Sequence, residues 1–225
     1  MPPDGGLFGV AIAINNDGAR FDPDLHARRD FMQDGTLRLI YTGALTPIYE
    51  LDVVIRALAR IVASRPEIDP RLDLYGRGDS EPLLRDLAVE LGIADRVVFH
   101  GRIPIDDVPR AVAASDIGLA PTRLDPFTAL TISTKVYEYA AMRKPVLASR
   151  LPLIERSFPD GSVLSYEPGD AGSLTGAILA CVDDVDRREL IVAQAADLAH
   201  ASSWENEAPR FVALVDALAR DRVSH

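Results

Sequence analysis

Residues 121–149, reading PTRLDPFTALTISTKVYEYAAMRKPVLAS, hold the side chains best suited to chemistry. Their pattern predicts a long loop, a helix over 133–142, and a strand following Lys144 and Pro145. The first N–H groups of a helix have no internal acceptor, and its dipole is positive at that end, so anions bind there. Ser133, Thr134 and Lys135 add hydroxyl and ammonium donors at the same place, a combination suited to a phosphate. Glu138 comes three residues after Lys135, so both can lie on one helix face. A carboxylate there can accept two hydrogen bonds from the vicinal hydroxyls of a ribose. The same spacing also serves an ordinary i, i+3 ion pair with Lys135.

These groups need a scaffold that aims the helix start at a ligand. β-rich runs at 37–42, 72–75, 97–100, 117–120, 146–148 and 163–166 read as strands, with helix-period segments between them. Leu51, Val54, Ile55, Leu58, Ile61 and Val62 form one apolar stripe, stopped by Arg65 and Pro66. A second helix has Ser80 as its cap, Leu84, Leu87, Ala88 and Leu91 inward, and Gly92 after its last turn. A third runs from Val108 through Val112, started by Asp106 or Asp107. Beyond the last strand the chain reads as helical to its end. Stripes fall at Leu174, Ala177, Ile178, Cys181 and Val182, then at Phe211, Leu214, Val215 and Leu218. Ser202 and Glu205 have capping-box spacing. Strands alternating with helices imply a Rossmann-like α/β fold. It would be a doubly wound parallel sheet of about six strands, with helices on both faces and a helical C-terminal tail. Loops at the carboxyl edge of such a sheet bind ligands. Gly43, Gly76 and Gly101 each follow a strand, as turn residues or as points of close backbone approach to a ligand.

The chain has 225 residues, 48% of them apolar and 26% charged, which is globular composition. A formal charge of −10 removes the basic field on which non-specific nucleic-acid binding relies. Cys181 is the only cysteine, so no intramolecular disulfide forms, in keeping with a reducing compartment. His26, His100, His200 and His225 have no metal-ligand spacing, and no metal site is expected; His100 reads as a packed or partly exposed side chain. Gly-x-Gly-x-x-Gly after the first strand, a Gly-Lys-Ser/Thr phosphate loop and a Gly-x-Ser-x-Gly elbow are all absent. The apolar run 7–14 lacks a charged leader and is too short to span a bilayer. The chain therefore reads as cytoplasmic, and a membrane-bound substrate reached from the cytoplasmic face stays compatible with it. Residues 1–36 read as a short strand, a turn at Asn15–Gly18 and an irregular lead-in. Residues 37–201 read as the α/β domain and 202–225 as a terminal helix.

Residues 134–149 (TKVYEYAAMRKPVLAS) resemble the signature of the retaining glycosyltransferases of family 4, which have the GT-B fold. Residues 39–58, 74–91 and 97–121 resemble successive βα units of that family, and Ser203, Trp204 and Glu205 its final-helix entry. The likeness covers 37–222 in order. In the family two Rossmann-like domains face each other, the carboxyl-terminal one binding a nucleotide-sugar donor and the other supplying much of the acceptor site. This chain is similar only to the former, and residues 12–24 resemble the crossing between the two. The resemblance thus implies a fragment or excised domain, the donor half of an enzyme transferring a hexose-type sugar, inactive alone. It implies UDP-, GDP- or similar nucleotide-sugar as donor, a glycan or lipid-linked acceptor, cell-surface polysaccharide synthesis, and peripheral membrane association of the intact protein. By position, Glu138 matches the ribose-binding glutamate, while Ser133, Thr134 and Lys135 meet the diphosphate. Arg102 and Ile103 match the loop along the base. Gly76, Arg77 and Gly78 match the second turn near the donor, and for Arg77 and Arg102 a solvated surface role is the alternative.

The chain also departs from the pattern. The family's first glutamate, eight positions before Glu138, is replaced by Leu130, and Asp125 is the candidate substitute to touch the transferred sugar. An ordinary loop aspartate before a proline is the other reading of Asp125. Ala44 and then Tyr49 and Glu50 stand where the family carries Arg and Lys-Gly. The diphosphate would then rest on Ser133–Lys135 and on backbone N–H groups around Gly43 and Thr46, or on an arginine of the other domain. These replacements motivate an alternative, a non-catalytic binding or assembly module whose donor site has decayed. An epimerase or phosphorylase of the same architecture is a further one.

Overall fold

The computed structural model describes residues 18–27, 29–158 and 161–223. The expected strand at 7–14, the turn that begins at Asn15, and His225 lie outside them. Six parallel strands form one sheet: β1 (Thr36–Thr42), β2 (Asp69–Tyr75), β3 (Val97–Gly101), β4 (Ile117–Ala120), β5 (Val146–Ser149) and β6 (Leu164–Tyr166). The intervening and trailing helices are α1 (Leu51–Ser64), α2 (Glu81–Glu90), α3 (Val108–Ala113), α4 (Thr134–Ala141), α5 (Pro152–Ser157), α6 (Ala171–Asp183), α7 (Val185–Ala201) and α8 (Trp204–Val223). The spatial order is β3-β2-β1-β4-β5-β6. The order reverses between β1 and β4, where Leu39 pairs with Ile117 and Ile40 with Gly118. Connections leave these two neighbours in opposite directions and open a crevice at their carboxyl ends.

Alternation along β1 assigns the two cores. Leu37, Leu39 and Tyr41 point to one face, where α1 and α6 pack through Leu58, Ile61, Leu174 and Ile178. Ile40 points to the other, covered by α3, α4 and α7 through Val112, Val136, Tyr139 and Ala195. β2 begins three residues before its expected start. β3 reaches only to Leu72, so Asp69–Arg71 is paired by β1 alone, and a proline at position 70 is tolerated there. Helix α5, with Pro152 in its first turn, was not expected; it lies between β5 and β6. Among the described residues no helix is long and apolar enough to cross a membrane.

Several capping expectations are corrected. Ser80 makes no side-chain cap bond and serves α2 through its carbonyl, which accepts the Leu84 N–H at 3.0 Å. Asp107 holds the N-cap position of α3, as expected, but makes no side-chain cap bond: its carboxylate pairs with Arg110, and that of Asp106 with Arg20. Ser202 closes α7, and the buried Ser203 carbonyl receives the Asn206 and Glu207 N–H groups at the head of α8, so the Ser202–Glu205 capping box does not form. Asp170 and Asp184 cap α6 and α7 through their carboxylates.

One close contact sets how α4 lies on the sheet. A Cβ added to Gly118 of β4 would stand 2.3 Å from Cδ2 of Tyr139, so the tyrosine ring occupies the space a side chain would need. The Tyr139 hydroxyl lies 3.0 Å from both the backbone nitrogen and Oγ1 of Thr42, the last residue of β1. We expect Gly118→Ala to lose roughly 1–3 kcal/mol through overpacking. Tyr139→Phe should lose about 1–2 kcal/mol through the unpaired Thr42 N–H. Thermal unfolding of both variants beside the wild type measures this, and an unchanged melting temperature in Gly118→Ala contradicts the packing argument.

Candidate functional site

The turns after β1 and β2 continue the sheet's hydrogen bonding past its strands. The Gly43 N–H donates to Tyr75 O at 2.8 Å, the Gly76 N–H to Gly101 O at 2.8 Å, and the Leu45 N–H to Arg77 O at 3.1 Å. This stacking leaves no room for side chains: a Cβ on Gly76 would fall 1.7 Å from Gly43 O, and Gly43 and Gly76 both adopt φ of +147°. The close approach seen here is between the two turns, with the Gly76 backbone against that of Gly43 and Gly43 against the Lys135 side chain.

Helix α4 faces this floor from across the crevice. Ser133 precedes it with an extended backbone and makes no side-chain cap bond, so the N–H groups of Thr134 and Lys135 have no helical acceptor. Lys135 is buried at 9% exposure, with its ammonium against Gly43. Its Nζ lies 3.3 Å from Ser133 Oγ and over the rings of Tyr41 and Tyr49. Glu138 is half-buried one turn further on. Burial lowers the Lys135 pKa, opposed by the Glu138 charge. Burial raises the Glu138 pKa, opposed by the Thr134 hydroxyl and by the Lys135 charge. The two groups thus sense each other electrostatically, and each carries its charge in a partly desolvated place.

The resulting cleft, of about 370 Å³, brings together Gly43, Gly76, Arg77, Arg102, Ile103, Thr134, Lys135 and Glu138 from the sequence-predicted set. Ser133 reaches it through its bond to Lys135. Gly78 lies beside an adjoining depression lined by Arg77, Arg85 and Arg102. Thr46 lies outside the lining and heads the short turn Pro47–Tyr49, its carbonyl accepting the Tyr49 N–H at 3.1 Å. Ala44, noted as a departure from the family pattern, also lines the cleft, as do Thr42, Tyr75, Ile105 and Val108, which were not singled out as site residues. For Tyr75 the strand-end position beside Gly76 was the available signal. His100 is partly exposed; it lies 2.6 Å from Asp73 and stacks on Tyr75, in keeping with the expectation of a packed or partly exposed side chain.

The positions that depart from the family pattern have defined partners. Asp125 stands outside the cleft, and its Oδ1 accepts the N–H groups of Phe127 and Thr128 at 2.8 Å. Those bonds hold its carboxyl below the usual range, and its carboxylate caps its own loop. Leu130 projects from the same loop, 76% exposed. Glu50 is buried at the head of α1 with φ of 42°, a left-handed conformation that suits glycine. It accepts the Gly169 N–H at 2.9 Å and faces Arg123 at 3.6 Å. Tyr49 places its ring under Lys135. A separate cavity of about 430 Å³ borders Arg29, Asp116, Arg143 and Arg188, whose charges are taken up locally. Arg143 pairs with Asp24, Arg29 with Asp116, and Arg188 lies over Phe31.

Chemically, the cleft offers an ammonium and free helix N–H groups for an anion, a carboxylate for hydroxyls, and a side-chain-free backbone floor. Residues 36–184 match the family Glycosyl transferases group 1. A D-inositol 3-phosphate glycosyltransferase of Stackebrandtia nassauensis is 32% identical over 206 residues, covering 88% of this chain and 45% of the relative. The chain thus spans about half the length of the curated relatives it matches. Anabaena HepE, crystallised with UDP and glucose, superposes with a TM-score of 0.73 at 19% identity, over 87% of this chain and 55% of HepE. The C-terminal domain of a group 1 glycosyl transferase from Francisella tularensis gives 0.63 at 16% identity, over 88% of this chain and 97% of that domain. The Rossmann-like sheet, the cleft at its reversal point and the family match agree, and the chain belongs to the group 1 glycosyltransferases, with the fold of their carboxyl-terminal domain.

Proposed function

We propose that this chain forms the nucleotide-sugar-binding half of a retaining glycosyltransferase that moves a hexose-type sugar to an acceptor in cell-surface glycan synthesis. The observation that carries the reading is the placement of Lys135 and Glu138 at one cleft, opposite the bare backbone of Gly43 and Gly76. In this reading the diphosphate lies between the α4 amino terminus and Gly43, held by the Lys135 ammonium and the Thr134 hydroxyl without a metal ion. The Glu138 carboxylate accepts the ribose hydroxyls, and the base runs along Arg102 and Ile103. HepE, crystallised with UDP and glucose, and the D-inositol 3-phosphate glycosyltransferase support a nucleotide-sugar donor and a phosphorylated acceptor. Much of the acceptor site would be supplied by a partner domain, with the acceptor met at the inner face of the membrane. That domain would also exclude water from the leaving diphosphate, so the chain alone should bind donor weakly and turn over little.

Titration with UDP, GDP and their sugar conjugates, followed by amide-resolved NMR, tests the site. Saturable shifts are expected at Gly43, Gly101 and 133–138. Lys135→Ala and Glu138→Ala should each weaken binding by roughly tenfold or more, the scale of one charge-assisted hydrogen bond. Absence of shifts at millimolar ligand would favour the decayed-module alternative suggested by Ala44, Tyr49, Glu50 and Leu130.

The electrostatics add a second prediction. Binding needs Glu138 ionised and Lys135 protonated, so affinity should fall at acid pH through the raised Glu138 pKa and at alkaline pH through the lowered Lys135 pKa. Stability behaves differently. A carboxyl whose folded pKa is raised contributes stability below its unfolded value and loses that contribution as pH climbs through the folded value. Glu138→Gln should therefore raise the melting temperature at neutral pH. The gain should vanish below the ordinary carboxylate range, and the variant should bind nucleotide poorly. Melting curves across pH, set beside the titrations, check both signs.

A further inference from the structure

The two places where the family pattern carries cations hold Ala44 and Tyr49 here, and the second has a specific relation to Lys135. The Lys135 Nζ lies 4.6 Å from the centroid of the Tyr49 ring and 5.1 Å from that of Tyr41. The two rings form a tilted pair, with centroids 5.9 Å apart and planes at 53°. Tyr41 is fully buried and locked by its hydroxyl, which donates to Ala44 O at 2.8 Å. Gly43 closes the third side: a Cβ there would stand 2.6 Å from Lys135 Cε. Against this enclosure the ammonium makes one long hydrogen bond, to Ser133 Oγ. Its other two N–H donors have no protein acceptor among the described residues.

We infer that Tyr49, backed by Tyr41, is a positioning residue that holds the Lys135 ammonium charged and aimed into the cleft with its donors free for a nucleoside diphosphate. This rests on the donor-site reading above. A buried ammonium needs negative potential around it. A carboxylate in contact would supply that by taking its N–H donors and would add a charge that repels a diphosphate. The face of a phenol ring supplies negative potential from its quadrupole and takes no donor. Both phenols are suited to this. Burial drives the Tyr41 pKa far upward, keeping that ring neutral. Glu138, one turn along α4, faces the same ammonium as its acidic partner. The site thus works with one desolvated cation on an aromatic cradle where the family pattern has further cations.

The chain makes this directly measurable, because Lys135 and Lys144 are its only lysines. Ammonium NMR of the nucleotide-free protein, assigned with Lys135→Met, follows the Lys135 titration in wild type, Tyr49→Leu and Tyr49→Phe. The same proteins are titrated with UDP and GDP across pH. Tyr49→Leu, which removes the π face, should lower the Lys135 pKa and weaken diphosphate binding about five- to tenfold. Its alkaline loss of binding should move to lower pH, and Tyr49→Phe should restore both properties to within about twofold. If Tyr49→Leu melts below the assay temperature, Tyr49→Met carries the same comparison. An unchanged Lys135 titration and affinity in Tyr49→Leu, with binding abolished in Lys135→Met, overturns the cradle and leaves the donor site standing. A wild-type chain that binds neither nucleotide overturns the donor-site reading, and the cradle with it.

Discussion

The seating of the Tyr139 ring on Gly118 is the contact from which the site's geometry follows. Without a side chain on the middle of β4, α4 can approach the sheet closely enough for a ring to fill the vacant volume. The hydroxyl of that ring then reaches the end of β1 and bonds to Thr42, so the helix is placed relative to the residue just before Gly43. Just past the carboxyl end of the same helix, the buried ammonium of Lys144 donates to Ala113 O and Ser115 O at 2.8 and 2.6 Å. With the last turn of α4 and the segment after it fixed in this way, the first turn lies against the glycine turns at the crevice between β1 and β4. Rigid mounting of this kind is what a preorganised anion site requires.

The charged groups at that crevice are kept at some expense. Lys135 and Glu138 both lose hydration on folding, and their pKa values move in the directions that desolvation dictates. Such unfavourable placement is common where function, not stability, selects the residue. Both lysines are buried, Lys144 donating to carbonyl oxygens and Lys135 lying against aromatic faces. An ammonium is a compact charge with rotatable donors, which suits such enclosures better than a planar guanidinium. The carboxylates at the positions that depart from the family pattern are bound internally. Asp125 is taken up by its own loop and Glu50 by Gly169 and Arg123.

Much of this was legible in the residues. The order of strands and helices, the parallel sheet and the cleft at its carboxyl edge followed from hydrophobic periodicity and glycine placement. The likeness to the group 1 glycosyltransferases singled out Lys135, Glu138 and the loops facing them. Misreadings were of a different kind. The serine caps at Ser80 and Ser202 were assigned from local spacing, but a backbone carbonyl and a neighbouring residue do those jobs. Helix α5 is too short to show a period. The roles of Gly118, Tyr139, Tyr41 and Tyr49 left no local trace.

The division has a physical basis. Periodicity records which face of an element is buried, and that is a property of neighbouring residues, so the sequence by itself determined the elements, their alternation and the helix face carrying Lys135 and Glu138. What that face meets depends on contacts between distant segments. Thr42 and Tyr139 are 97 positions apart, and the fit of a ring over a missing Cβ exists only once β4 lies beside β1. The tertiary structure alone decided that Lys135 would be enclosed by two phenol rings and a glycine, because burial and electrostatic surroundings are sums over space and not over chain.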